Sequence, residues 1–304
     1  MSVRPRISGF SFVRNAVSLD YPLEESLRSI LPVVDELVVA VAPGDVEDGT
    51  REVVEDLQDP RVQIVDAAWD DSRRQEIYAD LTNLALDRCT GDWCLYIQAD
   101  EVVHEDDHAV IRARAQELLP DRRVEALLFD YLHFFGDFDH IQTGQGWYQR
   151  EIRMIRNGIG VCSVRDAQSF RYPDQSRLTV ARSDARIFHY GWVRHPERMQ
   201  SKVREFWSHR ASPEEVEELH GRVETFDYGP LGRLPRYRGT HPEVMRDRIA
   251  AMDWADLLRE VDAPGLERTH LHKDERLKYR VLTAVSRWIG IDLNHRNHGR
   301  VLRV

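Results

Sequence analysis

Residues 91–107 read GDWCLYIQADEVVHEDD. The apolar run from Trp93 to Ile97 stops abruptly at Gln98, Ala99, Asp100 and Glu101, and more acid follows at Glu105, Asp106 and Asp107. An apolar run this short, bounded by polar residues, reads as a buried strand rather than a helix. Carboxylates crowded at the mouth of such a strand repel one another, and they are tolerated where something positive stands between them. The downstream acids Glu105 to Asp107 have a separate use. Acids favour helix N-termini, so they predict a solvated helix start.

Working outward, the same rhythm precedes this strand. ISGFSFV (7–13) reads as a first strand, followed by Arg14 and Asn15, and a helix is predicted over Glu24 to Val34 after Tyr21-Pro22. ELVVAVAPG (36–44) is too continuous in Val and Ala to be half exposed, so it is a buried strand. DVEDGT is turn chemistry, REVVEDL opens a helix, and RVQIVDAAW (61–69) is a third strand. Ile77 to Arg88 places Leu81, Leu84 and Ala85 at helical spacing. This strand–helix alternation predicts an α/β fold with a Rossmann-like, mostly parallel sheet flanked by helices. Ligands of such sheets bind beyond the carboxyl ends of the strands, which is where Gln98, Asp100 and Glu101 stand.

Beyond residue 102 the alternation fades. VEALLFDYLHFFG (124–136) and QREIRMIRNG (149–158) read as strands, a helix begins near Glu197, and SPEEVEELHGRV (212–223) carries a helix start. From about residue 211 the pattern is of helical patches. The expected organisation is therefore a catalytic domain over 1–210 and a mainly helical C-terminal extension over 211–304.

The bulk numbers narrow the function. A chain of 304 residues with net charge -10 is long enough for a large core and too acidic for general nucleic-acid or anionic-membrane binding. No apolar run approaches the length of an integral membrane segment, and MSVRPRISGFSF has no signal-peptide pattern. The three cysteines, Cys89, Cys94 and Cys162, make neither a disulfide framework nor a zinc knuckle, and a cytoplasmic setting is expected.

Asp100 is the first candidate site residue. A hard divalent cation takes oxygen ligands and completes its shell with one or two protein carboxylates and substrate phosphates. A strand-end acid of an α/β sheet suits a metal–diphosphate complex. Asp48-Gly49-Thr50 is a turn and helix start first, with Thr50 as a candidate cap, and a nucleotide contact second. Asn83, among apolar helix positions, reads equally as a packing residue and as a ligand contact.

In four stretches, SGFSFVRNA, DELVVAVAPGDVEDGTREVV, TNLALDRCTGDWCLYIQADE and HYGW, the chain resembles the family 2 glycosyltransferases of the GT-A fold. The resemblance covers roughly residues 5–205. It implies a hexosyltransferase-like enzyme that moves a sugar from a nucleoside diphosphate sugar to a glycan or small-molecule acceptor, with inversion and with Mn2+ or Mg2+ as cofactor. Asp100 then matches the metal-binding Asp of the Asp-x-Asp motif. Gln98 stands at the first Asp of that motif, with Ala99 between them. Phe10, Arg14, Asn15, Asp48 and Asn83 fall on the nucleotide side. The acid that reads the base in relatives is absent from Val41 and Ala42, leaving Asp45 or Asp48. His189 in FHYGW matches a histidine that completes the metal site, and Gly191 lets the backbone pass close to something. His195 and His241 are weaker alternatives for that ligand. The general base is expected at Asp166 in SVRDAQSF, with Glu151 as its competitor. Arg153, Arg156 and Arg165 are near enough in sequence to pair with Asp166 or to bind phosphate. Two other readings share these residues: a sugar-phosphate nucleotidyltransferase, although SGFSFVRNA lacks the Gly-rich basic loop, and a non-catalytic relative that only binds a nucleotide or glycan.

Overall fold

The computed structural model describes residues 4–44, 46–220, 223–262, 271–289, 293–294 and 297–304. Asp45, one of the two acids considered for base reading, lies outside them.

The buried apolar runs form β1 (Ile7–Val13), β2 (Glu36–Val41), β3 (Val62–Asp66) and β4 (Trp93–Tyr96), linked by α1 (Leu23–Ile30), α2 (Thr50–Glu55) and α3 (Ile77–Leu86). These strands pair in parallel in the order β3-β2-β1-β4. Continuous Val and Ala in β2 are explained by burial on both faces. Leu37, Val39 and Val41 pack with α1 and α2, while Val38 and Ala40 pack on the α3 side. Beyond β4 come β5 (Glu101–Val102), α4 (Glu105–Leu118), β6 (Ala126–Phe135), β7 (Ile141–Gln142) and β8 (Arg150–Arg156). The acids Glu105, Asp106 and Asp107 open α4, and the His104 Nδ1 accepts from the Asp106 N–H. Asp107 is not solvated, however. It is buried and paired with Arg186 at 3.0 Å.

The hairpin β9 (Cys162–Val164) and β10 (Ser169–Arg171) and the long β11 (Val180–Trp192) follow. The nine-stranded sheet runs β3-β2-β1-β4-β8-β6-β11-β5, with β7 on β6. It is parallel across its first four strands and again between β6 and β11, while β8 and β5 enter antiparallel. The fold is α/β, with helices packed on both sheet faces.

After β11 come α5 (Pro196–Ser208), α6 (Pro213–His220), α7 (Arg246–Ala250) and α8 (Leu277–Ile289), and the described residues between them form irregular segments and single 3-10 turns. Met245 and Trp254 share a cluster with Phe134 of β6 and Phe188 of β11, so residues beyond 211 pack directly on the sheet. The Leu302 N–H donates to the Val180 carbonyl at 2.7 Å, bringing the last described segment back to the start of β11. No helix among the described residues is long and apolar enough to cross a membrane.

Candidate active site

Sheet pairing brings three chemically competent side chains together. β4 carries Asp100 past the end of the parallel block. β5 then pairs with β11 in the register His189↔Glu101, and the Tyr190 N–H donates to the Asp100 carbonyl at 2.8 Å. β11 also pairs with β6 in the register His189↔His133. Asp100, His189 and His133 are thus neighbours by backbone geometry, and all three are buried.

The proton positions follow from the partners. His133 Nε2 lies 2.7 Å from the Tyr148 carbonyl, which only accepts, so that nitrogen carries the hydrogen. Burial pushes His133 well below the usual histidine range, so it is neutral and its Nδ1 is an acceptor. His189 Nδ1 lies 3.1 Å from that atom and must donate to it. The Nε2 lone pair of His189, also lowered in pKa by burial, is left facing Asp100 Oδ2 at 3.8 Å. Burial opposes ionisation of Asp100, but Lys202 foremost holds its carboxyl far below the usual range, so it is charged. Two acceptors therefore face each other across a gap, with the histidine tautomer fixed by an outer partner as metal-binding imidazoles are.

Gly191 defines the gap. A Cβ placed there would sit 2.6 Å from both Asp100 Oδ2 and His189 Nε2. The cradle and its donor set, one carboxylate and one neutral imidazole, fit a divalent cation whose remaining positions are taken by diphosphate oxygens and water. Among the described residues no group of three or more His, Cys, Asp or Glu side chains forms a complete metal shell.

Other expected residues divide. Arg14 and Asn15 stand just past the end of β1 (Ile7–Val13), both reaching Glu205 of α5, and the Arg14 guanidinium lies 4.0 Å above Trp69. Gln98 donates from Nε2 to the Ala167 carbonyl at 3.3 Å and holds the β9–β10 loop against the strand end. Asp166 in that loop is 41% exposed and 3.4 Å from Arg210, and its neighbours Arg165 and Ala167 both have positive φ, at 57° and 56°. Glu151 is buried, which raises its pKa, and it accepts from the Ile152 N–H, Asn297 and Gln168. Ala99 packs against the core.

Five expectations are corrected. Phe10 points into the core between Tyr96 and Phe170, because strand alternation turns it to the α3 face, away from the ligand edge. Asn83 clamps the backbone of Ser163 through both ends of its amide, at 2.7 and 3.1 Å. Thr50 does not cap α2. Its hydroxyl accepts from the Ala16 and Val17 N–H groups, while Asp48 accepts from Ser18 and Thr50 and so ties the two loops together. Arg153 and Arg156 do not pair with Asp166, and both are committed elsewhere. Arg153 is locked onto Glu101, and Arg156 onto carbonyls around the end of α4. His195 accepts from the Glu197 N–H at the start of α5, and His241 bonds Tyr190, so neither reaches the cradle.

Sequence reading missed Lys202. It donates to Asp100 Oδ2 at 3.0 Å and to the Gly191 carbonyl at 2.7 Å, and burial pulls its ammonium down to about 8. Arg194, fully buried over the Tyr21 ring at 4.6 Å, adds a second cation to this pocket.

No family model and no curated protein matches the sequence. Among solved structures, the chain is similar to the mannosyltransferase PcManGT from Pyrobaculum calidifontis in complex with GDP-Man and Mn2+, at 24% identity over 44% of this chain and 37% of that one, with a TM-score of 0.32. It is similar to S. aureus TarS 1-349 in complex with UDP-GlcNAc, at 13% identity over 70% and 69%, with a TM-score of 0.40. It is also similar to glucosyl-3-phosphoglycerate synthase from Mycobacterium tuberculosis in complex with Mn2+, UDP and phosphoglyceric acid, at 18% identity over 42% and 43%, with a TM-score of 0.29. The chain spans less than half the length of the first and third. Overlaps of this depth position no residue of the site.

Proposed function

We propose that the chain is a nucleoside diphosphate sugar-dependent glycosyltransferase of the family 2 type that its motifs resemble. The observation that carries this reading is the pair of buried acceptors, Asp100 Oδ2 and His189 Nε2, facing each other 3.8 Å apart over Gly191 at the ligand edge of an α/β sheet. Bound there, Mn2+ or Mg2+ would supply positive charge against a leaving diphosphate. Asp100 and His189 would hold it, and His133 keeps His189 in the ligating tautomer. Arg14 and Asn15 border the nucleotide side.

Asp166 is the general base. Its carboxylate is accessible, whereas Glu151 is enclosed by three donors. The acceptor hydroxyl gives its proton to Asp166 as its oxygen bonds to the sugar carbon. The bond from that carbon to the diphosphate breaks on the opposite face, its electron pair leaving with the phosphate oxygen, which inverts the centre. The backbone strain on both sides of Asp166 supports this role, since strained residues cluster where geometry is held for function. Glu151 acts at one remove, anchoring Gln168 of the same loop.

The test is release of nucleoside diphosphate from a panel of UDP- and GDP-hexoses offered with glycan and small-molecule acceptors. Wild type should release it with Mn2+ and not with chelator, and Asp100→Asn should be inactive in both. Binding of a nucleotide sugar with no turnover of any donor would reject the transferase reading in favour of a binding protein.

A further inference from the structure

One face of α5 and the residues just past it presents Lys202, Glu205, His209 and Arg210 toward the strand ends. Each engages a residue of the elements it faces. Lys202 holds Asp100. Glu205 accepts from Arg14 and Asn15. His209 packs its ring on Trp69 at 5.1 Å and on Tyr78 at 5.9 Å, and Arg210 reaches Asp166 at 3.4 Å. The charges alternate in a telling way. Where a donor would bring a cation to Asp100, α5 supplies an ammonium. Where it would bring an anion to Arg14, α5 supplies a carboxylate. The pocket between α5 and the loop after β1, lined by Asn15, Ser18, Ser201 and Glu205 among others, has a volume of about 440 Å³.

Charge balance at the cradle points the same way. Asp100 is one carboxylate beside two cations, the partly buried Lys202 and the fully buried Arg194, and the Arg194 guanidinium nitrogens make no hydrogen bond within normal distance among the described residues. A buried cation without a full set of acceptors is unfavourable. A diphosphate would bring the missing negative charge and acceptor oxygens.

We propose that α5 is a wall of the donor site that exchanges partners on binding: Lys202 passes from Asp100 to the diphosphate of a nucleoside diphosphate, and Arg14 passes from Glu205 to the same ligand. The proposal rests on the donor-site reading above. It makes Lys202 both a competitor of a metal ion for Asp100 and a ligand of the diphosphate. These two roles give opposite signs to one substitution, which a merely structural lysine does not.

The experiment is isothermal titration of the full chain with MnCl2 alone, and with UDP and GDP in Mn2+ and in EDTA. Lys202→Met should bind Mn2+ alone more tightly than wild type, because the competing ammonium is gone. The same variant should bind the diphosphate in EDTA about tenfold or more weakly, the usual weight of a hydrogen bond to a charged group. Lys202→Arg should retain most of that affinity. Glu205→Gln should tighten diphosphate binding in both media by releasing Arg14. If Lys202→Met leaves both the Mn2+ and the EDTA affinities at wild-type values, the exchange is rejected while the donor-site reading stands. If wild type binds neither nucleotide in either medium, the donor-site reading is rejected and the exchange with it.

Discussion

Glu101 and Arg153 form a two-point ion pair with both side chains wholly out of water: Nε to Oε2 at 2.8 Å and Nη2 to Oε1 at 2.7 Å. Tyr131 donates to Oε1 at 2.6 Å, and the Gln98 N–H to Oε2 at 3.1 Å. The acid run at the end of β4 is therefore divided in use. Glu101 has its cation built into β8, whereas Asp100, one residue earlier, faces the cradle. The strand end is rigid because Glu101 is satisfied, and a rigid support is what a site residue beside it requires.

Removing one partner of such a pair leaves an uncompensated buried charge, which costs about 3–5 kcal/mol. Arg153→Met should lose stability of that order in urea unfolding. Pairing it with Glu101→Gln should recover part of the loss, since no charge then stays buried alone. A single variant within about 0.5 kcal/mol of wild type, the usual range of a neutral surface change, would mean that the pair does not hold the strand end.

The two candidate carboxylates separate by position. Asp166→Asn should leave donor binding intact and lower transfer by about 10²-fold or more, the usual weight of a general base. Glu151→Gln keeps the acceptor that Asn297 and Gln168 use at one oxygen, so its effect should be smaller and shared with stability. Steady-state rates with saturating donor, together with melting curves, decide between them. A crippled Glu151→Gln beside an active Asp166→Asn would reverse the assignment.

Much of this fold was legible because its first half obeys simple periodicity. β1 falls on the expected residues, β2 to β4 and α3 lie within them, and α5 begins where expected. His189 and Gly191 stood out together in the sequence, a ring followed by a residue without Cβ, and the structure sets both beside Asp100. β11 was not, because Arg182, Ser183 and Asp184 interrupt its apolar run where the ladder to β6 shifts register and Asp184 takes φ 61°. Phe10 was misplaced for want of the sheet's parity, which only pairing supplies. Lys202 and Glu205 had no signal at all. On a helix of mostly polar residues they read as a solvated face, and only the tertiary fold turns that face onto the strand ends.

Acid should destabilise the protein through histidines that do not line the cradle. Burial lowers the pKa of His241, which faces Asp139 and His104, and of His272, which faces Asp274, Glu275 and Arg233. In the unfolded chain each titrates near 6.5. Below that pH the unfolded state binds the proton first, so stability falls as pH drops from about 6.5 toward the folded pKa. The slope is at most about 1.4 kcal/mol per pH unit for each group. Denaturant midpoints from pH 7.5 to 5 should show this loss, and His241→Asn should flatten it. An unchanged slope in that variant would mean that His241 is not one of the groups responsible.

Gly191 gives the sharpest test of the cradle. Its φ lies outside the left-handed region, so the backbone accepts alanine without conformational strain. The added methyl would nevertheless lie 2.6 Å from both Asp100 Oδ2 and His189 Nε2, closer than a Cβ is ever found to a heavy atom. The three groups must move apart, and the methyl then fills the space between the two acceptors. Gly191→Ala should therefore keep the fold, with a melting temperature lowered by a few degrees because overpacking a buried site costs about 1–3 kcal/mol, and lose Mn2+-dependent diphosphate binding by about tenfold or more, as expected where a charged contact is broken. Binding in EDTA, which depends on Lys202 and Arg14 rather than on the cradle, should change far less. If the variant binds the diphosphate as tightly as wild type in Mn2+, the ion does not lie between Asp100 and His189.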